Sequence, residues 1–76
     1  MYKVIQDVSI GYNIQKVRMK QGFTQEQLVA KMQTAGSNMS RSTLANIEAG
    51  RRNIKVSDLR LIKEILQIDY EEILGE

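Results

Sequence analysis

Two complete helix-start signals stand one after the other in the middle of this chain, and each follows a glycine that can stop a helix. Gly22 precedes Phe23-Thr24-Gln25-Glu26-Gln27-Leu28. Thr24 is placed as an N-cap, Gln27 sits three residues on as a capping box requires, and Phe23 and Leu28 are spaced for a hydrophobic staple. The second signal is Met39-Ser40-Arg41-Ser42-Thr43-Leu44, with Ser40 as the cap, Met39 and Leu44 as the staple, and Gly50 as the stop. Two helices must therefore form in succession, one over about 24–34 and one over about 40–49. Gly36-Ser37-Asn38 forms the turn between them.

The remaining apolar spacing is also helical. Ile10, Ile14 and Val17 recur at intervals of four and three and mark one buried face, behind a helix start expected at Ser9. Ser57 is expected to cap a fourth helix, with Asp58 in its first turn and Leu59, Ile62 and Leu66 as the stripe, widened by Leu61 and Ile65. Asp69 and Glu72 form another capping box, opening a short helix that ends near Leu74-Gly75. Met19, Met32 and Met39 fall at positions expected to pack. Residues 1–8 read either as an arm or as a helix extension. The fold class is all-α: a compact bundle of four to five short helices in one domain, residues 1–76, around an aliphatic core.

Composition excludes several functions. The 76 residues include no cysteine, histidine or proline. Disulfides, thiolate chemistry and the usual zinc sites are thereby removed, and no nucleophile–base pair or glycine-rich phosphate loop is present. The expectation is a protein that is not an enzyme and takes no cofactor, metal or small-molecule ligand. Apolar runs fall far short of the ~20 residues of a membrane span, and no signal pattern opens the chain. A cytoplasmic protein, at the nucleoid when bound to DNA, is expected. Asp69, Glu71 and Glu72 read as an acid-rich helix start.

Charge is unevenly placed. Residues 1–55 carry nine Lys or Arg against three Asp or Glu, a net +6, whereas residues 56–76 carry two against six, a net −4. That asymmetry suits a polyanion on one side. The helix after Ser40 lies in the basic part. Leu44 and Ile47 are spaced to face inward, leaving Arg41, Ser42, Ala45, Asn46 and Ala49 outside. A short helix with such a face can enter the DNA major groove.

Five segments in order and spacing resemble the phage Cro and lambda-repressor (XRE-like) type of helix-turn-helix domain. They are Ile14-Gln15-Lys16-Val17-Arg18, Phe23 to Leu28, Ser40 to Arg51, the Leu-rich fourth helix, and Tyr70-Glu71-Glu72-Ile73-Leu74. The resemblance covers about residues 10–74, with the helix-turn-helix at about 24–50. It implies sequence-specific binding of double-stranded DNA by a transcriptional regulator, a repressor of phage, mobile-element or bacterial type. The helix after Ser40 resembles the recognition helix. Arg41, Ser42 and Asn46 are implied base contacts, with Arg41 suited to guanine and Asn46 to adenine. Gln25, Ser40, Arg51, Arg52 and Asn53 are implied phosphate contacts. Arg18 and Glu48 match an internal ion pair of the family.

The departure lies in Gln33-Thr34-Ala35-Gly36-Ser37-Asn38, a longer connection than the tight turn of many members. The second helix can gain a turn, or the loop can bulge, with Lys31 and Asn38 as further phosphate contacts. Family members commonly bind as dimers. Ile68, Tyr70, Ile73 and Leu74, or the arm Tyr2-Val4-Ile5, can supply that contact. The alternative is an antitoxin or protein-interaction module on the same fold, whose acidic C-terminal end meets a basic partner.

Overall fold

The computed structural model describes residues 8–75, with side chains from Ile10 onward. The proposed arm Tyr2-Val4-Ile5 lies outside these residues. Five helices follow in order: α1 Val8–Lys20, α2 Gln25–Thr34, α3 Arg41–Glu48, α4 Val56–Leu66 and α5 Tyr70–Leu74. No strand occurs among the described residues. α1 packs on α3 and α5, while α2 packs on α3 and α4.

The two central start signals form as their residues dictate. Thr24 Oγ1 accepts from Gln27 N at 3.0 Å, and Gln27 Oε1 accepts from Thr24 N at 2.9 Å. Ser40 Oγ accepts from Thr43 N at 3.1 Å. At the other ends the chain uses one device repeatedly, a left-handed residue that returns its own amide and that of the next residue to the last turn. At Gly22, φ +82°, these bonds run from Gly22 N to Met19 O and from Phe23 N to Arg18 O. The same pattern closes α2 at Gly36, α3 at Gly50 and α4 at Gln67. The last of these is not a glycine: Gln67 holds φ 56°.

Two starts differ from expectation. α1 is already helical at Val8, so Ser9 lies inside it and is not its cap. A serine can cap a helix but does not oblige one to begin. α4 begins at Val56 after Lys55, and Ser57 sits exposed in its first turn. Leu59 N donates to Lys55 O at 2.9 Å, which closes that turn two residues earlier than Ser57 would. Asp58 is held there by Ser37 Oγ at 3.0 Å.

The long connection between α2 and α3 neither adds a turn after Thr34 nor swings free. Gln33 Nε2 donates to Met39 O at 2.8 Å. Ser37 Oγ accepts from Met39 N at 3.0 Å while it donates to Asp58. The extra residues are thus fastened to α2 at one side and α4 at the other.

Ile14, Leu28, Met32, Leu44, Ile62, Leu66 and Ile73 are fully buried and form the centre of the core. Ile68 and Ile73 belong to this core, so neither is available as the dimer contact suggested by the sequence; Tyr70 and Leu74 remain exposed. Met19 is also a correction, since it is 62% exposed, whereas Met32 and Met39 are buried. It follows Arg18 on α1 and lies on the outer side of that helix.

Polar contacts set the placement of α3. Arg18 Nε donates to Glu48 Oε2 at 2.7 Å and Nη2 to Oε1 at 2.9 Å, with both side chains almost wholly buried. Arg18 Nη1 also donates to Phe23 O at 2.8 Å. Gly11 lets α1 approach α3 closely, since a Cβ there would collide with the Ile47 carbonyl oxygen. Asn13 Nδ2 donates to Ile73 O at 2.9 Å and ties α5 to α1.

Glu48→Ala leaves the Arg18 charge buried and unpaired, and is expected to cost about 3–5 kcal/mol in urea unfolding. Replacing both partners together by Met and Leu is expected to cost much less than the sum of the single changes. Gln67→Gly removes the left-handed strain and is expected to stabilise by about 1 kcal/mol, read as a higher denaturation midpoint.

Candidate nucleic-acid interface

α3 has eight residues and is therefore only about 12 Å long. Leu44, Ile47 and Glu48 hold it to the core. The opposite side carries Ser42, Ala45, Asn46 and Ala49; Ser42 and Ala49 are exposed, and Ala45 and Asn46 are half-buried. Small residues on this side keep the helix surface low, so another surface can approach its backbone closely.

Arg41 stands at the helix start, toward α2 and not at the centre of this face. Its Nε lies 3.1 Å from Glu26 Oε2, and both side chains are mostly exposed. A solvated pair of this kind is weak and readily exchanged. Glu26 was not recognisable as a neighbour of this face from sequence, because the two helices must cross before the residues meet.

Asn46 lies near the middle of the outer face. Its Oδ1 accepts from Arg51 Nε at 3.0 Å. Arg51 and Arg52 are exposed and follow the stop at Gly50. Arg52 and Asn53 share a cleft of about 120 Å³ with Asn38, Thr43, Lys55 and Asp58. Lys55 is an addition to the residues singled out by sequence; only the bulk charge of residues 1–55 had pointed to it. Asn38, from the long connection, reaches the same cleft.

Gln25 and Ser40 are both engaged within the protein. Gln25 Nε2 donates to Glu48 Oε1 at 2.9 Å. A primary amide has two N–H donors, so one remains, beside the first turn of α2. Ser40 Oγ caps α3 and also donates to Thr43 Oγ1 at 2.9 Å. Lys31 lies away from the Asn38 cleft, with its ammonium 5.8 Å from the Phe23 ring centroid. The arrangement brings Arg41, Ser42, Asn46 and Arg51 onto or beside one helix face, with Arg52, Asn53, Asn38 and Lys55 grouped with Asp58 in the cleft along the flank of α3. Among the described residues, no helix is long and apolar enough to cross a membrane.

The helix-turn-helix family model matches residues 14–73. The immunity repressor protein of Bacillus phage phi105 is 36% identical over 69 residues, covering 91% of this chain and 44% of that protein. The chain thus spans less than half the length of this curated relative. No solved structure matches the chain. The matched span includes both capped central helices and their buried Arg18–Glu48 brace, and with them this chain belongs to the helix-turn-helix family of the Cro and lambda-repressor type.

Proposed function

We propose that this chain reads double-stranded DNA as the sequence-specific segment of a transcriptional repressor. The carrying observation is the outer side of α3: Ser42, Ala45 and Asn46 lie between Arg41 at one end and Arg51 and Arg52 at the other. Family membership and the likeness to a phage immunity repressor support it.

On this reading α3 enters the major groove. Ser42 and Asn46 face base edges, and Arg41 exchanges Glu26 for guanine or phosphate. The spare N–H of Gln25, the α3 start at Ser40, and Arg51, Arg52 and Asn53 contact phosphates. Glu48 then orients Gln25 as well as holding Arg18.

One α3 offers few base contacts, so two copies acting together fit the need for tight recognition. The half-sites are then about one helical turn apart. Tyr70 and Leu74 supply exposed apolar surface on α5 for the contact between copies. A monomer mass that persists at all concentrations, and on DNA, would exclude this assembly.

Selection of bound duplexes from a random pool, followed by titration at two salt concentrations, tests the reading. An enriched motif is expected, and weak binding without enrichment would overturn it. Arg41→Ala or Asn46→Ala is expected to cost about 1–3 kcal/mol and relax one base pair of the motif. Arg52→Ala is expected to weaken binding evenly across sequences and lower the salt slope by about 1.

A further inference from the structure

Arg51 lies beside Asn46 for a reason built into the backbone. Gly50 takes φ +79° and ends α3, and the amide of Arg51 donates back to the Asn46 carbonyl at 2.9 Å. The same two residues then meet a second time through their side chains, where Arg51 Nε donates to Asn46 Oδ1 at 3.0 Å. An arginine has donors only, so the atom facing it must be the amide oxygen, and the orientation of the Asn46 amide is fixed by chemistry.

That orientation has a consequence for base recognition. A bidentate contact to adenine needs both the oxygen and the nitrogen of the amide at the base edge. Oδ1 has two lone pairs, and Arg51 takes one of them; with the oxygen drawn to Arg51, the NH₂ is the group of Asn46 that still needs a partner at a base edge. Edges that accept without donating match it: guanine, through O6 and N7, and thymine, through O4. This departs from the adenine expected of Asn46 by sequence.

We propose that Arg51 is a positioning residue that sets the base preference of Asn46, directing it to guanine or thymine. The proposal rests on the DNA-reading function above. One of the five guanidinium N–H donors holds Asn46, and the others remain for a phosphate. Arg51 thus links a backbone contact to a base contact one helical turn away.

The test is selection from random duplexes with the whole chain, comparing the unaltered protein with Asn46→Ala, Arg51→Ala and Arg51→Lys. The pair read by Asn46 is the one whose preference disappears in Asn46→Ala. The unaltered protein is expected to prefer guanine or thymine there. Arg51→Ala is expected to reduce that preference about tenfold and to leave the rest of the motif unchanged. Arg51→Lys keeps the charge but puts a methylene where Nε was, so overall affinity is expected to hold while the preference is still lost.

If the preferred pair is A·T, base analogues tell its two bases apart: binding lost when its adenine is replaced by 7-deazaadenine, with the thymine O4 dispensable, would show that adenine is read and would overturn the proposal. So would an Arg51→Ala variant that loses affinity evenly, with a salt slope lower by about 1 and the preference intact, because Arg51 would then hold phosphate only. A motif that Asn46→Ala leaves unchanged would overturn it as well. If the unaltered protein enriches no motif, the DNA-reading function itself falls and the proposal with it. Arg51 is exposed and its backbone bond survives truncation, so these variants retain the fold.

Discussion

The buried pair between Arg18 and Glu48 fixes how three helices meet. Its carboxylate lies at the end of α3, its guanidinium near the end of α1, and the start of α2 joins through Gln25 Nε2 on Glu48 Oε1. Arg18 also takes the Phe23 carbonyl, the last one before the Thr24 cap. A shift of any one helix would leave a charge or an amide without its partner inside the protein. Burying two charges is a poor source of net stability. The pair supplies direction, because the planar fork of an arginine accepts a carboxylate in few orientations.

The apolar core does not provide that direction by itself. Leu44 and Ile47 hold α3 down, but aliphatic contacts tolerate small rotations and slides. Gly11 limits the slide by admitting the α3 backbone against α1 at a distance no side chain would allow. The connection from Gln33 to Met39 limits the tilt, since Ser37 spans from Met39 N to Asp58 on α4. Extra length between α2 and α3 therefore does not loosen the outer helix. Its backbone and side-chain polar groups are spent on fastening it.

The parts of the fold legible in sequence are those set within a few residues. The boxes at Thr24–Gln27 and Asp69–Glu72, the cap at Ser40 and the stops at Gly22 and Gly50 are local, and they stand where the residues put them. The misjudged starts at Ser9 and Ser57 show the weakness of a lone serine. A serine hydroxyl can cap a turn, as Ser40 does, but does not by itself decide where the turn begins. Gln67 was invisible because a glutamine carries no sign of a left-handed backbone. Met19, Ile68 and Ile73 failed for another reason. Which apolar residue lies inside depends on which sides of α1 and α5 the other helices cover, and that is set by contacts far apart in sequence, such as Asn13 with Ile73. In the candidate site, the order of residues along α3 was legible, but Glu26 beside Arg41 and Arg51 beside Asn46 were not. One needs two helices to cross, and the other needs the chain to turn back after Gly50.

Those two side-chain contacts also bear on energetics. Arg41 does not stand unpartnered on the surface, so its contact with a base would exchange one hydrogen bond for another, whereas Asn46 can keep Arg51 on its oxygen while its NH₂ meets a base. The gain from an exchanged contact is then small. Losing Glu26 as partner costs Arg41 little in water, because both groups are mostly exposed. Asn46 is different: it is half-buried and joined to Arg51 through backbone and side chain alike. If α3 reads DNA as proposed, the solvated cation at its start and the half-buried amide of Asn46 in its last turn make unequal readers. On the proposed reading, Arg41 is free to settle on whichever anion or acceptor lies near, whereas the bond to Arg51 favours one orientation of Asn46. On the proposed reading, discrimination by this face would depend less on the number of polar groups than on how many are held by a second partner.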